Sequence, residues 1–188
     1  MSSFDATALQ CARCSTGIGS IEPTSQGYQL HKPDLAITAP DKSHAISYGV
    51  NKWLSCQILA AIESQGVRKF TIQSTNSDQV DTFKIWVLTP DLTISSSAGP
   101  SSEPTRTMKV LWHDSNGQDE NESDMKKFLT ESDIKLSKVE MDQLLEALQV
   151  NSVWIPEGAR ELMGWNVGLL ERFTNHDLAM WHEEFPMR

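Results

Sequence analysis

The chain has 188 residues, a formal charge of −9 and 39% hydrophobic residues, enough apolar material for one well-packed core. That acidity argues against a broad basic surface for nucleic acid or anionic membrane, because such surfaces need clustered Lys and Arg to neutralise phosphates. There is no run of about 18 apolar residues, and the opening MSSFDATALQ has neither the positive start nor the apolar core of a secretory signal. The expected setting is therefore intracellular, with a protein partner, no direct nucleic acid and no membrane.

The first motif in chain order is CARCSTGIG, with Cys11 and Cys14 at metal-clamp spacing and Gly17 and Gly19 read as a turn. GYQLHKPDLAI, residues 27–37, reads as an extended segment that Pro33 interrupts or places at an edge. From Ser47 to Ser64 the apolar residues Val50, Trp53, Leu54, Ile58, Ala61 and Ile62 recur at three- and four-residue spacing. That spacing predicts a helix, and Gly66 stands where its stop belongs.

RKFTIQS (68–74) and FKIWVLTPDLTI (83–94) are rich in β-branched and aromatic residues, and the polar TNSDQVD between them predicts paired strands. A loop over 95–105, rich in Ser, Gly and Pro, leads to a third strand, TMKVLWH. Residues 114–124, DSNGQDENESD, hold no apolar side chain and are expected to be an acidic surface loop. Ser137 and Glu140 then fit a capping box ahead of a second helix with an apolar stripe of Val139, Leu144, Leu145 and Leu148. Pro156 is read as starting a short helical turn, and residues 162–173 as a final strand. Adjacent strands with only two substantial helices predict an α+β fold, one domain over 1–188 with a mostly antiparallel sheet.

Three cysteines in a reducing compartment argue against a disulfide framework. Two thiols separated by two residues make half of a tetrahedral zinc site, and closing it needs two more N or S ligands. Of the nearest candidates, His31, His44, Cys56 and His113, none forms a matching pair. Unliganded structural cysteines and a redox pair remain open alternatives, the last requiring a helix start that lowers a thiol pKa. Cys56, among Trp53, Leu54, Ile58 and Leu59, is expected to be a small buried hydrophobe. His176 and His182 fall in a solvated C-terminal tail, and the tryptophans at 53, 86, 112, 154 and 165 sit in apolar segments, so most are expected to be core. No serine-histidine-aspartate order, phosphate-binding glycine loop or paired-carboxylate motif stands out.

The ordered segments CARCSTGIG, WLSCQILAAIESQGVRKFTI, FKIWVLTPDLTISSS, TRTMKVLW and NSVWIPEGARELMGWNVGLLERF resemble the HECT-like family of proteins that bind ubiquitin-conjugating enzymes, which includes ubiquitin-protein ligase type 3D-like proteins. The resemblance runs from Leu9 to Phe173. It implies docking of a charged ubiquitin-conjugating enzyme by a ligase or ligase subunit of the nucleus and cytoplasm. Fungal relatives imply an alternative, a non-catalytic nuclear scaffold for a pre-mRNA cleavage and polyadenylation factor. The resemblance also implies further Cys and His residues ahead of Cys11, so that Cys11 and Cys14 become the downstream half of a zinc site and this chain the C-terminal part of the family. One departure stands out: HECT ligases carry ubiquitin on a cysteine near the C-terminus, whereas here no cysteine follows Cys56. A thioester relay in the C-terminal region is chemically closed to this sequence.

Overall fold

Alternation of apolar and polar residues sets the central sheet. In Phe83-Lys84-Ile85-Trp86-Val87 the first, third and fifth side chains are buried, while Trp86 is 36% exposed, because successive side chains of a strand point to opposite faces. A computed structural model describes residues 8–22, 26–38, 45–74, 81–99, 103–114, 131–177 and 179. The expected turn at 75–80, the acidic segment beyond Asp114, part of the 95–105 loop, His44 and His182 lie outside the described residues.

The chain divides into two compact units, residues 1–49 and 50–188. The second holds helix α1 (Val50–Gln65), strands β4 (Lys69–Ser74), β5 (Thr82–Ile94), β6 (Thr105–Asp114) and β7 (Glu131–Leu136), helix α2 (Lys138–Asn151), and strands β8 (Glu161–Leu162) and β9 (Trp165–Glu171). Its sheet has the order β7-β4-β5-β6-β9-β8, antiparallel throughout except for the β4–β7 pair. The α+β class with a mostly antiparallel sheet and two main helices is therefore what the structure shows.

Both helices contribute to one core. α1 buries Val50, Leu54 and Ile58 at four-residue intervals, and α2 buries Met141, Leu144 and Leu148. They pack with Phe70, Ile72, Phe83, Ile85, Val87, Met108, Val110 and Leu170 from the sheet. Each such side chain contributes about 1.5–3 kcal/mol relative to an exposed one. The opposite face carries a smaller cluster, Leu111, Val167 and Leu169, closed by Ile155 with Trp154 and Trp165. The capping box forms as read: the Ser137 hydroxyl accepts from the Glu140 amide at 3.2 Å, and the Glu140 carboxylate accepts from the Ser137 amide at 2.8 Å. Asn151, at the other end of α2, donates its buried side-chain amide to the Leu169 carbonyl at 3.1 Å.

Some expectations shift. Val139 is 63% exposed and takes no part in the core, because the buried register of α2 runs through Met141, Leu144 and Leu148. The expected strand at 162–173 is a hairpin, β8 and β9, joined at Met163 and Gly164 with φ of 55° and 80°. Positive φ at both central residues is the turn that matches the twist of two-residue hairpins. β7 is an additional strand, lying between the acidic segment and the capping box.

The first unit holds β1 (Ala8–Gln10), β2 (Gly17–Glu22) and β3 (Gly27–Leu30), an antiparallel meander. The expected extended segment at 27–37 ends early, since Pro33 enters a 3-10 turn over Lys32–Asp34. Gly17 and Gly19 belong to β2 and not to a turn. Gly19 is needed there because a Cβ would collide with the Gln29 carbonyl of β3. Among the described residues of this unit no apolar side chain is buried.

Candidate functional site

The cysteine pair is built by the connection between β1 and β2. Residues 12–14 form the turn; the Cys11 amide donates to the Thr16 carbonyl at 2.8 Å, and the Ser15 amide to the Cys11 carbonyl at 2.9 Å. Ser15 takes φ of 58°, which reverses the chain after Cys14 and aims the next peptide at the sulfur. Cys14 Sγ shares a hydrogen bond with the Thr16 hydroxyl at 3.2 Å. The Thr16 hydroxyl first, then the Thr16 amide and the Cys11 thiol, hold the Cys14 thiol below its ordinary range. Cys14 is exposed and Cys11 half-buried.

The Thr16 hydroxyl and amide and the Cys11 thiol all act on the Cys14 sulfur. The helix start that a redox pair draws on is not supplied here, because antiparallel strands flank the turn. Among the described residues no group of three or more His, Cys, Asp and Glu side chains is placed to hold a metal ion. His31 instead faces Asp34 at 3.8 Å, and His113 packs edge-on against Trp165 with centroids 4.0 Å apart. Cys56 lies on α1 but is exposed, which corrects the expectation of burial: Leu54, Ser55 and Ile58 take the inward positions. His176 is exposed, as expected of the tail.

A second feature sits on the sheet face away from the helices. Lys69, Trp86 and Leu111 are directly paired across β4, β5 and β6. The Lys69 ammonium lies 5.4 Å from the Trp86 ring centroid, within the range of a cation-π contact. Trp86 and Trp165 meet edge to face at 6.4 Å. The expectation that the tryptophans are core is corrected on this face: Trp86 is exposed and Trp165 only half-buried, because odd-numbered positions of β9 and even-numbered positions of β5 turn away from the helices.

The polar clusters of the second unit serve its C-terminal region. Asp91 is held by Arg106 at 2.7 Å and Arg172 at 3.0 Å. The hydrogen bond from Arg106 is the main reason its carboxyl falls to about 2. Lys52 meets Asp177 at 3.0 Å, and Trp53 packs against Phe173 with centroids 4.9 Å apart. The sequence gives no local signal for Thr16, Asp91 or Asp177 as partners, since their contacts depend on backbone reversal or on strands far apart in the chain. Among the described residues no helix is long and apolar enough to cross a membrane.

A family model described as HECT-like Ubiquitin-conjugating enzyme (E2)-binding matches residues 2–167. No curated relative and no solved structure matches the chain. The family match spans both units, including the cysteine-bearing turn and the sheet up to Val167. The chain therefore belongs to the HECT-like family of ubiquitin-conjugating enzyme (E2)-binding proteins.

Proposed function

We propose that this protein binds a ubiquitin-conjugating enzyme and promotes or scaffolds transfer of ubiquitin from it, acting as an adaptor and not as a covalent carrier. The family match over residues 2–167 is the observation that supports the reading. The adaptor form follows from thiol chemistry. Ubiquitin relay needs a nucleophilic cysteine with an activating base or cationic neighbour. Cys11 and Cys14 lie in the turn between β1 and β2, and Cys56 is the remaining thiol. Cys56 is exposed on α1 and no cysteine follows it in the chain, so the C-terminal position at which HECT ligases carry ubiquitin has no thiol here. Lysine discharge by a bound, charged conjugating enzyme needs only that its thioester be held in a reactive geometry, a service of orientation that no thiol on the adaptor has to provide.

The test is a binding titration of the purified chain with a panel of ubiquitin-conjugating enzymes, uncharged and ubiquitin-charged. Saturable binding to at least one enzyme is expected, tighter in the charged form. An absence of binding across the panel would remove the reading.

A further inference from the structure

We propose that the helix-free face of the second unit's sheet is the surface on which the ubiquitin-conjugating enzyme docks, and that the enzyme meets it with an acidic surface, carboxylates set around an apolar side chain. The inference rests on the proposed function and adds to it the place and the chemistry of the contact.

The first observation is charge. The side chains of β4, β5 and β6 that turn away from the helices include Lys69, Lys84, Lys109 and His113, set on neighbouring strands by the pairs Lys69 with Trp86, Lys84 with His113 and Lys109 with Leu169. Residues 69–73, 84–88, 109–113 and 165–169 hold no carboxylate, although the whole chain has 25 Asp and Glu against 16 Lys and Arg. Glu131 and Asp133 on the edge strand β7 and Glu171 at the end of β9 stand at the borders of the face, and Glu131 accepts from the Thr71 hydroxyl at 3.2 Å. An acidic protein thus gathers cations at the centre of one face. A partner that fits it brings carboxylates there, and such matching raises the on-rate and excludes wrong partners.

The second observation is an apolar strip among these cations. Trp86 is 36% exposed and meets Trp165 edge to face. Leu162 pairs with Trp165 across the hairpin and is 45% exposed, with Met163 beside it at the tip. Ile155 and Trp154 close the face over Leu111, Val167 and Leu169 and leave Trp86 open. Tryptophan is enriched at the energetic centre of interfaces and lysine is depleted there. Trp86 is accordingly the anchor, with Lys69 and Lys84 as the rim that steers the partner in.

The third observation is the extent of the family match. It covers β4 to β8 and the start of β9, while α1 and α2 occupy the other face of that sheet. A nucleic acid is the poorer fit, because a net charge of −9 opposes a polyanion wherever the local cations do not neutralise its phosphates.

The experiment titrates the full chain with a ubiquitin-conjugating enzyme that binds it, at several salt concentrations. It then treats the complex with a carbodiimide, which joins an amine to a carboxylate only when the two touch. Binding should weaken as salt rises, and Lys69→Glu, Lys84→Glu and Trp86→Ala should each weaken it about tenfold or more. Lys32→Glu in the first unit should leave it unchanged, and Lys69 or Lys84 should be coupled to carboxylates of the enzyme. Thermal unfolding reports the fold of each variant, and the coupling reads the unaltered chain, so an unfolded variant does not decide the outcome. Unchanged affinity in folded variants, coupling of these lysines only within the chain, or displacement of the enzyme by an oligonucleotide bound to this face would overturn the inference and leave the proposed function standing. Failure of the wild type to bind any enzyme of the panel would remove both.

Discussion

Lys52, in the first turn of α1, holds Asp177 at 3.0 Å across 125 residues of sequence. Burial alone would raise the Asp177 carboxyl, but the Thr174 amide, the Lys52 ammonium and the Thr174 hydroxyl together keep it below the ordinary carboxylate range. The folded state therefore binds the proton less readily than the unfolded state. The pair's contribution is complete above the unfolded carboxylate value of about 3.9 and is lost as pH falls through the depressed folded value. Asp177→Asn should cost about 1.5–3 kcal/mol at neutral pH, the range for hydrogen bonds to charged groups. It should also flatten the acid limb of a urea-midpoint profile. An unchanged acid limb would show that the contact is not made in solution.

Gly168 on β9 faces the helices, where a Cβ would stand 2.7 Å from Leu148 Cδ2 and 3.0 Å from Trp112. Gly168→Ala should overpack this junction of α2 with the sheet and cost about 1–3 kcal/mol. Thermal unfolding of the variant measures it. Leu148→Ala in the same chain should recover part of the loss, since the two sites share one space.

The register of α2 separates two leucine-like positions that sequence alone treats alike. Leu144 is fully buried and Val139 is 63% exposed. Leu144→Ala should cost about 2–5 kcal/mol, whereas Val139→Ala should stay within about 0.5 kcal/mol. Equal losses in chemical denaturation would contradict the helix register.

Met163 carries a positive φ of 55° and is 88% exposed at the tip of the β8–β9 hairpin. A residue with a Cβ pays about 1–2 kcal/mol for the left-handed conformation, and asparagine pays less because its short polar side chain bonds locally. Met163→Asn should therefore raise the denaturant midpoint, by about 1 kcal/mol. A fall in stability would indicate that the methionine makes contacts the hairpin geometry does not account for.

Helical spacing and the capping box located both helices to within a few residues, because 3.6-residue periodicity and a Ser-to-Glu offset are local. Val139 reads as part of the apolar stripe because it is apolar and near the helix start. Only the packing of Met141, Leu144 and Leu148 shows which face turns inward. The strand β7 was hidden because Ser132, Ile134 and Leu136 form its inward row, and one serine in three breaks the alternation a sequence reader seeks. Its parallel pairing with β4 is a non-local choice. Gly17 and Gly19 mislead in the opposite direction: glycines suggest turns, but Gly19 is required by the close approach of β3. The Cys11–Cys14 spacing was legible at once, while the Thr16 contact depends on the positive φ of Ser15, which a serine does not advertise. Cys56 shows the limit of composition, since apolar neighbours in sequence occupy the buried face of α1 and leave the thiol exposed.

The central claim, an adaptor that needs no thiol of its own, is tested most directly by single-turnover discharge of a ubiquitin-charged conjugating enzyme that binds the chain, comparing the wild type with Cys56→Ala. The account predicts faster ubiquitin release to free lysine with the chain present, the same rate for the variant, and no thioester-linked ubiquitin on the chain under non-reducing conditions. A thioester adduct at Cys56, with acceleration lost in the variant, would contradict it.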